Sequence, residues 1–366
     1  MTIQLTDIAL MVGGRLIGDE SITCVGANPP AQATDGEITM LHDASRVESV
    51  HQSKAVAVIT GEKIESLNIP QVVVANPHQA FACVVAKFRP PLDHTEINSH
   101  VPSWGIAPTA DIAETTTIHS CAIIGEGVKI GEHSRIMPGV VIMPNCQIGD
   151  DCVIHANVTL YEYSQLGDRV VLHAGTVIGA HGFGYRNIEG KHTPTSQLGF
   201  VKIEDDVEIG ASSTVDRGTY GATTIGEGTK VDNQVMIAHN CQIGRHNLIC
   251  SQVGVAGSSN TGDYVVLAGQ VGLKDHVSLG DHTVVCAQSG VMEDSEGNEV
   301  LMGSPATSLR DRMQIVAIER RLPQMRREVK LLRKELDQLT ARAASEDNAG
   351  TELKVANPDS AKKRAA

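Results

Sequence analysis

The densest group of side chains able to do chemistry lies in the stretch KVDNQVMIAHNCQIG. It brings Asp232, Asn233, Gln234, His239 and Asn240 close together along the chain. A histidine titrates near neutral pH, so its neutral imidazole can take a proton from an amine or hydroxyl nucleophile. A second histidine, His276 in GLKDHVSLG, follows 37 residues later. Spacing alone favours reading a lone histidine as a surface residue over reading it as a base. His155 and His173 are 18 residues apart, and His246 and His282 are 36 apart. Such ladders can bind a metal, but they read more simply as exposed corner residues, and no metal is expected. The chain has no Walker loop, no GxGxxG after a strand and no GxSxG.

What must position these residues is a repeat. Steps of six from Ile112 meet Ile118, Ile124, Ile130, Ile136, Ile142, Ile148, Ile154, Leu160, Leu166, Leu172 and Ile178. Steps of six from Ile225 meet aliphatics as far as Val291, with only Thr261 out of class. A bridging run, Ile203, Ile209 and Val215, is shifted in phase. Neither a helical nor a strand period gives this pattern. It fits a three-sided coil with one aliphatic per flat face, in which each 18-residue turn pairs with its neighbours as parallel strands roughly 4.8 Å apart. His239 and His276 are then two coils plus one residue apart, roughly 10 Å along the axis. The residue after the aliphatic is often Gly, as at Gly125, Gly131, Gly149 and Gly244, where a tight corner needs no Cβ. The fourth residue after it is small or β-branched, and Cys146, Cys152 and Cys241 share that slot, so these read as core residues and not as ligands. Two interruptions stand out: HGFGYRNIEGKHTPTSQLG after Ala180, which must loop out, and DRGTYGA at 216–222.

The flanks differ. Residues 1–100 read as a small α/β domain, with AVAVIT and QVVVAN as buried strands and PHQAFACVVAKF as a helix. The β-helix is expected over 101–304, with an inserted loop at 181–200. C-terminal helices follow at 305–342, and a disordered polar tail at 343–366. Ile315, Ile318, Leu322, Met325, Val329, Leu332, Leu336 and Leu339 form a heptad seam, and Pro323 inside it should kink the helix or split it. The seam implies partner helices, and a three-sided prism suits a homotrimer. The same stretch is basic, through Arg310, Arg312, Arg320, Arg321, Arg326, Arg327, Lys330, Arg333 and Lys334. It reads either as a solvated face or as a docking site for an acidic partner.

Composition agrees with a thin, layered core. Aromatics are 3% of 366 residues, with one Trp, so small and branched aliphatics must fill the interior. A net charge of −13 argues against nucleic acid as a partner. No apolar run approaches the roughly 18 residues of a membrane span, and MTIQLTDIALMVGG does not read as a signal peptide. The eight Cys contain no CxxC pair, which points to reduced thiols in a cytoplasm.

These motifs together resemble the UDP-3-O-(3-hydroxyacyl)glucosamine N-acyltransferases of lipid A synthesis. The resemblance rests on VDNQVMIAHNCQIG, preceded by DRGTYGATTIG and followed by AGSSNTGDYVVLAGQVGLKDH. It spans nearly the whole chain. It implies a mainly β fold: a left-handed parallel β-helix between an N-terminal sugar-nucleotide domain and C-terminal helices. It implies a homotrimer with active sites between adjacent β-helices. It further implies transfer of a 3-hydroxyacyl chain from the phosphopantetheine of acyl carrier protein, with no other cofactor, to the 2-amino group of a UDP-linked, 3-O-acylated glucosamine. His239 matches the family's base and His276 its second active-site histidine. Asp232 is the candidate to orient His239, and Asn233, Gln234 and Asn240 are the candidates to bind substrate. One departure is plain: the family's FLSNPKY-like stretch, whose aromatics stack on uracil, is here Met40–Arg46 (MLHDASR), leaving Arg46 as a candidate base or phosphate contact. The Asp that precedes GFG in the family is here His181. Three other readings remain open on residues alone: another hexapeptide O-acyltransferase or acetyltransferase, a metal-dependent hydratase of carbonic anhydrase type, and a non-enzymatic scaffold.

Overall fold

The computed structural model describes residues 1–91, 105–303 and 309–352, with side chains from 313 to 341 in the last of these stretches. The hexad pattern becomes three parallel sheets of ten, ten and nine strands, most of them two residues long. We number the faces by the coil that carries the polar cluster: the first holds Lys230–Val231, the second Met236–Ile237 and the third Gln242–Ile243. Register follows the sequence step. Ile124 pairs with Ile142, Ile142 with Leu160, and Leu160 with Ile178. The aliphatic of each hexad points inward, and these side chains form one continuous core from Ala122 to Val291. Each buried Ile or Leu contributes roughly 1.5–3 kcal/mol, so stacking many thin layers stabilises a core that contains no aromatic ring.

Thr261, the exception in the ladder, is also buried. Its Oγ1 accepts from Gly244 N–H (3.0 Å) and from Asn247 Nδ2 (2.7 Å), so a small polar knot replaces one apolar layer. Cys146, Cys152 and Cys241 are fully buried, and burial pushes the Cys146 thiol up to about 12. All eight cysteines are free thiols.

The glycine that follows the aliphatic has a different reason from the one expected. At Gly149 a Cβ would meet the backbone of Gly167, in the next coil, at 2.6 Å. The coils themselves approach too closely for a side chain there. The left-handed corner conformation falls further along the turn, at residues such as Asn145, Asp151 and Asn157, with φ near +60°.

The N-terminal region forms its own core around a five-stranded sheet, with Leu5–Met11 (α1), Val47–His51 (α2) and Pro77–Phe88 (α3). The boundary expected at 100/101 lies outside the described residues. This region packs directly on the β-helix. Arg89 donates to Leu198 O (3.4 Å) and Tyr220 O, and Gln32 brackets Ala222 through both its amide N–H and its oxygen. Residues 1–304 form one compact unit and 305–366 a second.

In the second unit the helix is not split at Pro323, one of the two outcomes expected there. Leu309–Glu352 (α4) is a single helix that runs through Pro323. The proline removes one backbone donor, but the long regular stretches on either side carry the helix past it. The helix also reaches ten residues into the segment expected to be disordered; residues 353–366 lie outside the described chain. Among the described residues, no helix is long and apolar enough to cross a membrane.

Candidate active site

Almost every coil of the β-helix is 18 residues long. Two are longer: from Ile178 to Val215 the chain takes 37 residues, and from Val215 to Ile237 it takes 22. Both surpluses leave at the same edge, the corner between the second and third faces. The first is the segment after Ala180, which carries an exposed hairpin of Tyr185–Ile188 and Lys191–Pro194. The second is Arg217–Gly221, between Thr214–Asp216 and Ala222–Ile225. His239 sits at this corner one coil further on, and His276 two coils beyond His239. The interruptions and the two histidines thus converge on one edge of the prism.

His239 is half-buried in a slot between glycines. A Cβ on Gly182, in the looped-out segment, would meet His239 Cβ at 2.6 Å. One on Gly257, in the next coil, would meet Nε2 and Cε1 at 2.8 Å. Both glycines leave the imidazole room that any side chain would take. Burial, and secondarily the charge of His276, lower the pKa of His239 below the ordinary 6.5. Its ring is therefore neutral at neutral pH, the state a general base requires. His276 itself is exposed, with Nδ1 3.1 Å from Asp275 Oδ2 and its backbone N–H donated to Gly257 O (3.1 Å).

The residue that orients His239 within the chain is Asn240. Thr219 N–H donates to Asn240 Oδ1 (2.7 Å), which turns the amide NH2 toward His239 Nδ1 (2.8 Å) and Thr219 Oγ1 (3.0 Å). Asp232 does not fill this role within one chain. It lies at the corner between the first and second faces, and its carboxylate accepts from the N–H groups of Asn233 (2.7 Å) and Ser251 (3.1 Å). The physical reason is the prism itself: seven residues in a hexapeptide coil span one whole face, so Asp232 and His239 occupy different edges. Asn233 and Gln234 stay with Asp232. Asn233 Oδ1 accepts from Ala211 N–H (2.7 Å), and Gln234 begins a ladder of Gln252, Gln270 and Gln288. Arg46 is exposed in the N-terminal region, just before α2.

Three residues near His239 were not singled out by type and spacing. Arg217 and Glu162 form an ion pair (Nη1 to Oε1, 2.6 Å), each side chain only 4% exposed. Burial would raise the Glu162 carboxyl, but the hydrogen bond and charge of Arg217 outweigh this and hold it below the ordinary value. Gln197, also buried, lies close to Gly182 as well: a Cβ there would meet its Oε1 at 2.9 Å. The phase slip at DRGTYGA marked the place of Arg217. Glu162, at an ordinary corner of the repeat, carried no such mark.

The histidine ladders are stacks of rings. His155 and His173 lie 5.0 Å apart with nearly parallel planes, and Tyr264 stands between His246 and His282. Among the described residues, no group of three or more His, Cys, Asp or Glu is placed to hold a metal ion.

Residues 21–87 match the family described as UDP-3-O-(3-hydroxymyristoyl) glucosamine N-acyltransferase. Residues 127–162, 145–180 and 222–257 match the bacterial transferase hexapeptide repeat, and 200–238 a hexapeptide repeat of succinyl-transferase. A UDP-3-O-acylglucosamine N-acyltransferase of Rhodopirellula baltica is 52% identical over 363 residues, covering 92% of this chain and 94% of the relative. A namesake from Legionella pneumophila is 38% identical over 256 residues, 70% of this chain and 72% of the relative. Among solved structures, a UDP-N-acetylglucosamine acyltransferase from Campylobacter jejuni matches with a TM-score of 0.41 at 21% identity, over 52% of this chain and 68% of that one.

Proposed function

Because the chain belongs to the UDP-3-O-acylglucosamine N-acyltransferase family, we propose that it moves a 3-hydroxyacyl group from the thioester of acyl carrier protein to the 2-amino group of a UDP-3-O-acylglucosamine, with His239 as the general base. The observation that carries this reading is the neutral, slot-bound imidazole of His239 at the edge where both interruptions of the repeat emerge.

The amine attacks the thioester carbonyl, and His239 Nε2 takes its proton as the C–N bond forms. For Nε2 to accept, Nδ1 must carry a proton, so the Asn240 amide, whose NH2 faces Nδ1 in this structure, must turn its oxygen to the ring and give up the hydrogen bond from Thr219 N–H. The developing oxyanion takes a hydrogen bond from a backbone N–H at this corner or from His276. Collapse expels the phosphopantetheine thiolate, which recovers a proton from the His239 imidazolium. Asp232, at another edge, acts across an interface between adjacent prisms of a homotrimer, as do Asn233 and Gln234.

The nucleotide belongs to the N-terminal region. In place of the family's aromatic pair, the rings of His42 and His78 lie 4.4 Å apart, with Tyr220 beyond them. Arg186 of the hairpin is close enough to lower the pKa of His78, after burial and His42. These flat and cationic groups are suited to a pyrimidine base and its phosphates, with Arg46 on the same strand-to-helix connection.

His239→Ala tests the reading. Transfer from 3-hydroxyacyl carrier protein should fall roughly 10²- to 10⁴-fold, with the melting curve and oligomeric state unchanged. Survival of activity would remove His239 from its role.

A further inference from the structure

The buried Arg217–Glu162 pair stands where the chain leaves the repeat. Arg217 lies two residues past Val215 and Glu162 two past Leu160, with the coil of Ile178 between them. The guanidinium thus reaches back across a whole coil, roughly 10 Å along the axis, and its Cζ lies 5.7 Å from the centre of the Tyr161 ring. Burying two charges is costly, and well-packed apolar side chains often stabilise as much. What such side chains cannot do is hold a departing backbone by its carbonyls.

Regular corners of this edge show what Arg217 replaces. There the carbonyl after the aliphatic is met by a small core side chain: Tyr161 O by Cys146 Sγ (3.0 Å), Ala256 O by Cys241 Sγ (3.2 Å) and Lys274 O by Ser259 Oγ (2.8 Å). Gly179 O is the equivalent carbonyl of the coil that loops out. Ser164, in the matching slot, donates to Tyr161 O instead (2.7 Å), and Gly179 O takes Arg217 Nε (2.7 Å). Arg217 N–H also donates to Ala180 O (2.9 Å). The next residues hold the returning end: Gly199 N–H donates to Gly218 O (2.9 Å) and Leu198 N–H to Thr219 O (2.7 Å). Arg217–Thr219 is therefore a clasp on both ends of the looped-out segment. Gly182 lies just past the outgoing end, where a Cβ would fall 2.6 Å from His239 Cβ and 2.8 Å from Cδ2.

Building on the function proposed above, in which His239 is the base, we propose that Arg217 and Glu162 are positioning residues. Their pair pins Gly179 and Ala180 so that Gly182 walls one side of the imidazole, which sets both the place and the dryness of the base.

The titration of His239 is read without any transfer, by NMR of the full-length protein labelled at histidine Cε1, the signal being identified by its loss in His239→Gln. The wild type should titrate below 6.5. In Glu162→Leu and Arg217→Leu the ring is wetted, and its midpoint should rise by about half a pH unit or more. Glu162→Gln keeps an oxygen for Arg217 Nη1 and should hold the midpoint near the wild-type value. Two other histidines stand nearby: His276, whose charge acts on the ring, and His181, whose charge acts on Glu162. Direction separates wetting from charge, since an unpaired Arg217 acting by charge would lower the midpoint in Glu162→Leu. In transfer assays the acid limb of kcat/KM should follow the NMR midpoint. There kcat should fall roughly ten- to a hundredfold in the leucine variants, with the KM for the UDP-sugar little changed. A midpoint that stays or falls in a folded Glu162→Leu overturns the proposal. If the leucine variants do not fold, Arg217→Lys decides. Its single nitrogen cannot reproduce the fork that joins Glu162 to Gly179 O, so its midpoint must rise too, and one that stays overturns the proposal. A rise in the variants without transfer by the wild type would instead overturn the function on which the proposal rests.

Discussion

At the scale of the residue, the site depends on how two neighbours set the protonation of His239. Burial is the larger cause of its lowered pKa and the charge of His276 the smaller. The acid limb of kcat/KM should therefore lie below pH 6.5 and move upward in His276→Gln, where the repelling charge is gone. Asn240→Asp should move it upward further. A carboxylate at 2.8 Å from Nδ1 stabilises the imidazolium, whereas an amide adds no charge. A limb that stays in place in Asn240→Asp would mean that Asn240 does not touch the ring in solution. Spacing made His239, His276 and Asn240 visible in the sequence, because they stand in the one polar stretch of an aliphatic ladder. It did not reveal which polar residue faces the imidazole. Adjacent residues around a corner share an edge, while Asp232, at seven residues' distance, lies across a face. Gln197 and Arg217 were visible only as members of irregular segments, since the repeat gives no register for a stretch that leaves it; Arg217 is held by Glu162 and Gly179 O of preceding coils.

At the scale of the element, the hexad period was legible almost to the residue, because every sixth side chain must enter the same narrow core. The edge from which the loop leaves was less so, since the phase breaks there. The helix through Pro323 shows the opposite case: a strong local breaker yields to the regular turns around it. The irregular segment 214–222 contributes a prediction of its own. Asp216 is 4% exposed, and burial raises its carboxyl from 3.8 to about 7. The folded state thus holds this proton more tightly than the unfolded chain. Stability from this group is fully present below about pH 4, is lost as pH rises, and levels off above about pH 7. Asp216→Asn does not titrate. Relative to wild type it should gain stability over that window, by up to about 4 kcal/mol above pH 7. Denaturant titrations at pH 5 and pH 8 measure the difference. A variant equally or less stable at pH 8, with no change in the gap at pH 5, would show that the Asp216 carboxyl is not desolvated.

At the scale of the whole molecule, the features left unsatisfied in one chain are those that call for others. Every residue of the α4 seam from Ile315 to Leu339 is at least 38% exposed. An amphipathic helix of this length is not stabilised by propensity alone and needs its apolar stripe covered. We expect α4 to pack against copies of itself, so Leu322→Asp with Leu332→Asp should lower the assembly state by light scattering while the β-helix keeps its melting transition. The basic residues of the same helix raise a separate question, whether they form a solvated face or a docking site for an acidic partner. Arg320, Arg321, Arg326, Arg327 and Lys330 gather cationic charge on a chain whose net charge is −13. An acidic acyl carrier protein would be steered to them, and such steering weakens as salt shortens the Debye length from about 10 Å at 0.1 M. Reversing Arg326 and Arg327 to Glu should raise the KM for acyl carrier protein and flatten its salt dependence, leaving kcat and the KM for the UDP-sugar in place. The two sets of variants separate assembly from docking: the seam changes should alter mass first, and the charge reversals only the encounter with the donor. An unchanged salt dependence after reversal would leave the basic face as a solvated surface and nothing more.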